Sequence, residues 1–311
     1  MYSSIVRTDE YKRKLLDFIR REYGIDAYGI YPAKRGFYGE TWKLSTANKS
    51  YFTKIVYPTS HKSVYENSFP VIDHMNHHGI DFIGKIVRTS QGKLSVRFDS
   101  AVLGVFDWID GENRQDEDTK IHEYQMLAKV YTVLTKGLVI QREDFTAVSA
   151  DTFLYQWSSL PPHTSLSVLF EQHRTKIEHR AERLHLFSER CRNDTSPFFI
   201  THGDAGGNYI ANGDKKYIVD WDTPILAPPE RDAWFCMSWD WAMDAFHDAL
   251  RQNGIDYTLQ KERLAYYCYH MFFYYLNAYI GRYTLTGVTE GVDEYISGWI
   301  EESFQYADKI L

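Results

Sequence analysis

One short stretch has side chains of the right types, in the right order, for phosphate chemistry. Residues 198–222 read as an apolar run entering His202-Gly203-Asp204, a loop Ala205-Gly206-Gly207, then Asn208. Two short alternating segments joined at Asn212-Gly213 follow, and the stretch ends in Ile218-Val219-Asp220-Trp221-Asp222. Asn-Gly between alternating apolar runs is a hairpin signal. One loop therefore holds an Asp and an Asn, and a nearby strand end holds two more Asp. Phosphoryl transfer asks a protein for charge neutralisation through Mg²⁺, for in-line placement, and for a group that orients or deprotonates the attacking hydroxyl. Mg²⁺ takes one or two protein carboxylates or amides and completes its shell with phosphate oxygens and water. Asp204 can accept the hydroxyl proton, Asn208 and Asp220 can hold the metal, and Asp222 is a neighbour on the acceptor side. Surface Asp and Asn are common, so it is the order of the set that carries the reading.

The N-terminal third has the parts to bring a nucleotide to this stretch. Residues 9–23 have a helical apolar stripe, with Asp9 as cap and Gly24 as stop. Residues 30–57 change to short alternating strands. Gly36 and Gly39 precede the second of them and suit a tight hairpin or a loop that covers phosphates. Lys54 is flanked by apolar residues inside the next strand, either on a solvent face or as a point charge for phosphates. A helix over 61–78 carries Glu66, the acidic residue expected to orient Lys54. His74 and His78 share a face of that helix without the glutamate of a zinc motif, and are not read as a metal site. Strands follow over 82–111. The last run, 101–111, is largely apolar and ends in an aromatic and acidic segment that reads as the crossing between two lobes. Phe106 and Trp108 are candidate walls for a nucleotide base, and Asp110-Gly111 is a turn. Residues 112–118 are polar and read as a surface linker.

Beyond that point the pattern is mostly helical: 119–136, 151–160, 165–191, from about 230, 259–283 and 291–310. The expected class is α+β, with a small antiparallel sheet lobe over 1–107 and a larger helical lobe over 108–311. Net charge is −7, which argues against nucleic acid as main partner and tolerates a cationic substrate. Three cysteines, none in a CxxC pair, indicate no disulfide framework and no thiolate zinc site. No signal peptide and no transmembrane run are visible, so a cytoplasmic enzyme that works away from membranes is expected.

The set Gly36, Gly39, Lys54, Glu66, the segment 106–109, His202-Gly203-Asp204, Asn208 and Ile218-Val219-Asp220 resembles the aminoglycoside phosphotransferase and choline kinase superfamily. Its members are relatives of the protein kinases, and the resemblance covers nearly the whole chain. Trp221-Asp222 and the following Leu226-Ala227-Pro228-Pro229-Glu230 look most like its spectinomycin phosphotransferase branch. The resemblance implies the bilobal protein-kinase-like fold, ATP or GTP with Mg²⁺, Asp204 as catalytic base, Asn208 and Asp220 as metal ligands, and Lys54 on the phosphates. There is one departure. Three residues separate Asp204 from Asn208, where the kinase pattern has four. Either Gly206 and Gly207 permit an unusual backbone path, or the metal geometry is disturbed.

Only nine residues lie between Asp220 and Glu230, and three of them are proline. That leaves little room to dock a peptide, so a small-molecule hydroxyl acceptor is expected. Asp240 and Asp244, with Trp239 beside them, suit an ammonium group on that acceptor, or else form the solvated face of a helix. An aminoglycoside or an aminocyclitol such as spectinomycin is the first expectation. Choline, a sugar amine or another metabolite is the alternative, as is a catalytically weak nucleotide-binding protein. Oligomeric state is left open.

Overall fold

The structure, a computed structural model, describes residues 7–33, 39–57, 59–114, 116–193, 196–298 and 301–310. The first amphipathic stripe forms α1 (Asp9–Tyr23). Its cap is Thr8 rather than Asp9: the Thr8 side chain accepts the Tyr11 N–H, and Gly24 ends the helix in the left-handed region. A residue one place before the helix is better placed to reach the free N–H groups of the first turn.

The alternating segments form an antiparallel sheet. β1 (Gly29–Pro32), β2 (Glu40–Ser45) and β3 (Ser50–Val56) run in order. α2 (Thr59–His77), β4 (Ile86–Val87), β5 (Val96–Phe98) and β6 (Ala101–Asp107) follow, and the sheet order is β1-β2-β3-β6-β4, with β5 also on β6. Period-two alternation sends neighbours to opposite faces. Leu103, Val105 and Ile55 join Trp42, Leu44 and the α1 stripe in one core. Gly104 and Phe106 face α2, where the Phe69 and Phe106 rings pack edge to face at 5.3 Å. Lys54 pairs with Gly104 across the strands, so it shares the α2 side. α2 also contains Pro70, which supplies no N–H to the Glu66 carbonyl four residues earlier.

Residues 112–118 are not only a linker. β7 (Glu112–Asn113) pairs with the strand that holds Ile210 and Ala211, and α3 (Glu117–Val130) follows. The polar sequence gave no sign of this, because two residues are too few to show a period. α3 also stops six residues short of the expected 136.

The chain divides into two compact units, residues 1–141 with 202–225 and residues 142–201 with 226–311. The second unit is helical. It holds α4 (Val148–Ser158), α5 (Ser165–Gln172), α6 (Arg174–Cys191) and β8 (Phe199–Thr201). The single helix expected over 165–191 is broken at His173, whose Nε2 lies 2.6 Å from Asp293. The first unit then takes the hairpin β9 (Tyr209–Asn212) and β10 (Lys215–Ile218), giving a second sheet β10-β9-β7. Its two-residue loop is Gly213-Asp214, one place later than expected. β11 (Ile225–Ala227) pairs with β8.

α7 (Glu230–Ala233), a 3₁₀ turn Trp234–Ser238, α8 (Asp240–Gln252) and α9 (Lys261–Thr286) follow. The last helical stretch forms as α10 (Val292–Ser297) and α11 (Glu301–Asp308). The aromatic run of α9 is core: Tyr266, Tyr267, Tyr269, Phe272 and Phe273 are buried. A fully buried Glu230 accepts from the Tyr257 hydroxyl at 2.8 Å and the Gln260 N–H at 2.5 Å. Arg263 completes this cluster by donating to Tyr257 and Ser196. All three cysteines are buried, and no disulfide joins them. Among the described residues no helix is long and apolar enough to cross a membrane.

A Cβ on Gly104 would lie 2.4 Å from the Phe69 ring, whereas one on the helical Gly281 would meet nothing within 4 Å. Gly104→Val should therefore cost about 1–3 kcal/mol through overpacking of α2 on the sheet. Gly281→Ala should be neutral or stabilise by up to ~1 kcal/mol. Urea unfolding of both variants checks the pair, and equal stabilities would contradict this packing.

Candidate active site

The loop from Asp204 to Asn208 closes as one 3₁₀ turn, Ala205–Gly207. Three residues per turn suit a span with three residues between its ends. The Asn208 N–H donates to the Ala205 carbonyl at 2.8 Å, and the Asn208 Nδ2 donates to the Asp204 carbonyl at 2.7 Å. The amide is thereby fixed, with Oδ1 as its acceptor end. Gly206 and Gly207 do not take the left-handed path; the glycine that does is Gly203, at φ 84°. The unusual backbone expected of the paired glycines lies one step before Asp204.

His202 is buried and ties the two halves of the hairpin. Its Nδ1 accepts the Asp204 N–H at 3.1 Å, and its Nε2 lies 2.9 Å from the Val219 carbonyl. Those partners require the neutral tautomer with hydrogen on Nε2. The Trp221 ring packs edge-on to it at 4.6 Å. The Val219 N–H donates to the Asn208 carbonyl at 2.9 Å. Asp220 thus follows a clamped residue, and it holds φ at 68°, a conformation few non-glycine residues adopt. Such strain persists only where surroundings enforce it, and it clusters at functional positions.

Among the described residues, Lys54 is the cation that pairs with Asp220 and Asp222. Its side chain is 11% exposed, and its ammonium donates to Asp220 and, at 2.5 Å, to Asp222. Burial acts to lower the Lys54 pKa, but the charges of Asp222 and Asp220 override it and hold the ammonium above its ordinary value. Burial raises both carboxyls and Lys54 pulls both down. The balance leaves Asp220 below its usual value and Asp222, which also faces the Asp220 charge, above it. Two carboxylates on one ammonium leave an excess negative charge, and Asp204 and Asn208 add oxygen donors on the adjoining loop. No group of three or more His, Cys, Asp or Glu among the described residues is arranged to hold a metal alone. A donor set of carboxylate and amide oxygens fits a hard divalent ion that takes the rest of its shell from phosphate.

Several expected residues lie elsewhere. Glu66 is exposed on α2 and is not the partner of Lys54. It lies one residue, about 100° around the helix, from the buried Tyr65 that faces the sheet. Gly36 lies outside the described residues. Gly39 has φ 103°, and a Cβ there would lie 2.3 Å from the Ile55 carbonyl oxygen, so the start of β2 admits only glycine. Phe106 is buried and packs on Phe52 and Phe69. Trp108 is half-buried, with the Lys43 ammonium 4.3 Å over its ring and its indole N–H on Asp110. The backbone N–H groups of Asp107 and Trp108 are already engaged by the carbonyls of Lys85 and Ser50. Trp239, Asp240 and Asp244 belong to the second unit. There Trp239 packs on Phe235 at 5.0 Å, and both carboxylates are exposed at the start of α8.

Two supports of the loop had no sequence signal. Asn113 of β7 donates its Nδ2 to the Gly207 carbonyl. Lys120 of α3 donates to the Gly206 carbonyl at 3.2 Å and to the buried Glu123 at 3.1 Å. A lysine in a polar helix turn looks like any solvated lysine until the fold sets it beside the loop. Lys120→Met should lower the turnover of the folded protein about tenfold, and should also lower its stability because the buried Glu123 loses its ammonium partner. Steady-state rates with thermal unfolding check this, and wild-type turnover would show that the 3₁₀ turn stands without Lys120.

Residues 30–267 match the family described as the phosphotransferase enzyme family. No curated protein matches the chain in sequence. Spectinomycin phosphotransferase in complex with ADP and spectinomycin is similar in structure, with TM-score 0.70, 20% identity, and coverage of 96% of this chain and 94% of that one. Amicoumacin kinase in complex with AMP-PNP, Ca²⁺ and Ami gives TM-score 0.64 at 14% identity, over 97% and 96% of the two chains. Choline kinase LicA from Streptococcus pneumoniae gives 0.65 at 12%, over 97% and 100%. With a match across most of its length, and with a small antiparallel sheet followed by a helical part as in protein kinases, the chain belongs to the phosphotransferase enzyme family and is a small-molecule phosphotransferase.

Proposed function

We propose that the chain moves the γ-phosphoryl group of ATP or GTP to a hydroxyl of a small cationic molecule, with an aminocyclitol or aminoglycoside antibiotic as first candidate. The observation that carries this reading is the juxtaposition of Lys54, Asp220 and Asp222 with a hairpin that begins at Asp204 and Asn208. In this reading the Asp204 carboxylate takes the proton of the acceptor hydroxyl as its oxygen attacks the γ-phosphorus. The bond from that phosphorus to the bridging oxygen breaks, and a nucleoside diphosphate leaves. Lys54 holds the phosphates of the donor. Asp220 and the Asn208 Oδ1 hold Mg²⁺, which, when bound, neutralises charge on the phosphates. His202 keeps the Asp204 backbone and the Val219 carbonyl at a fixed spacing, and so keeps base and metal ligand in register.

The acceptor class rests on three supports. The span between Asp220 and Glu230 is too short and too proline-rich for peptide docking. The net charge of −7 favours a cation. The similar structures include enzymes named for spectinomycin, amicoumacin and choline. Trp239, Asp240 and Asp244 are the proposed ammonium contacts. Modification of an antibiotic in this way would confer resistance on a cell that makes the protein in its cytoplasm.

The test is nucleotide consumption across aminoglycosides, spectinomycin, choline and small amines, with product mass as the readout. One cationic acceptor should gain a phosphoryl group in wild type. Asp204→Asn should lower its turnover by a factor of about 10²–10⁴. Undiminished turnover in that variant would remove Asp204 as base. Nucleotide binding with no acceptor turned over would favour a catalytically weak binding protein.

A further inference from the structure

Lys54 needs a partner that keeps its ammonium aimed once a cation and phosphates compete for Asp220. The residue expected for this, Glu66, is exposed and makes no ion pair with Lys54. The neighbouring residue is different in every respect. Tyr65 is 5% exposed, its ring stacks on Phe69 at 5.5 Å, and the Lys54 ammonium lies 5.4 Å from the ring centroid. Its hydroxyl hydrogen-bonds the Asp222 carboxylate. Lys54 therefore meets an aromatic face on α2 and a carboxylate that the same tyrosine holds by its hydroxyl.

We propose that Tyr65 and Asp222 together replace a helix glutamate as the device that aims Lys54, with Tyr65 a positioning residue for nucleotide binding. The inference rests on the phosphotransferase reading above and adds to it a division of labour between the two carboxylates. Asp220, at a strained φ and 41% exposed, is the one that turns to the cation. Asp222, 30% exposed and bonded to Tyr65, is the one that stays on Lys54. The support reaches further into the fold. Phe69, which stacks on Tyr65, packs where Gly104 has no side chain, directly across from Lys54. The bare position on β6 lets α2 come close enough for a tyrosine ring, rather than a longer charged chain, to meet the ammonium. At the first turn preceding Pro70, Glu66 is turned to solvent by the same packing.

The experiment measures binding of a non-hydrolysable nucleotide with Mg²⁺ by calorimetry in wild type, Tyr65→Phe and Glu66→Gln, alongside KM for nucleotide and acceptor. Tyr65→Phe keeps the ring and deletes the hydroxyl. It should weaken nucleotide binding roughly fivefold, the size of one net hydrogen bond. Nucleotide KM should rise in step with acceptor KM unchanged, and the melting temperature of the unliganded protein should fall by only about 2–4 °C. Glu66→Gln should change nucleotide binding by less than about twofold. Equal affinity in Tyr65→Phe and wild type, or a larger loss in Glu66→Gln than in Tyr65→Phe, would overturn the inference while leaving the phosphotransferase reading intact. Absence of nucleotide binding in wild type would overturn both.

Discussion

A buried ammonium shared by two carboxylates is the constraint on which the rest of the site depends. Lys54 sits in the middle strand of a sheet, almost wholly removed from water, and no single carboxylate is left to neutralise it alone. Removing either side of such a buried group typically costs several kcal/mol, because the remaining charge is stranded. The excess negative charge of the triad would suit a divalent cation that brings positive charge with it. The strain at Asp220 and the left-handed turn at Gly203 are tolerated because the hairpin is pinned between them by His202 and the Asn208–Val219 bond.

That pinning explains how a loop one residue shorter than the kinase pattern keeps its form. A 3₁₀ turn spans the shorter distance, and the Asn208 amide still folds back on the Asp204 carbonyl. Gly206 leaves no side chain on the face where Lys120 reaches its carbonyl; a Cβ there would lie 3.3 Å from the Lys120 ammonium. Gly206 thus serves access by a neighbouring helix rather than an unusual backbone.

Much of the site could be read from the chain, because its chemistry is local. His202, Asp204, Asn208 and Asp220 lie within twenty residues, and a hairpin turn between alternating strands fixes their relation. Lys54 was legible as an oddity, a charge in an apolar strand. Its partners were not, since a helix brings Tyr65 and Glu66 to different faces and sequence spacing alone does not say which face meets the sheet. The same limit hid Lys120 and Asn113, whose roles come from contacts across about ninety residues of chain. Helix ends were misjudged where tertiary contacts decide them, as at His173. Phe106 has an ambiguous pattern, because a buried aromatic and a ligand-facing one look alike in a strand.

In the proposed function Asp220 would carry a divalent ion that joins the nucleotide to this site. The most direct measurement is the affinity of a non-hydrolysable nucleotide with and without Mg²⁺, in wild type and in Asp220→Asn. Binding should strengthen with Mg²⁺ in wild type, and the variant should lose that metal-dependent gain while remaining folded. Affinity that is indifferent to Mg²⁺ in wild type, or a gain that survives in Asp220→Asn, would contradict it.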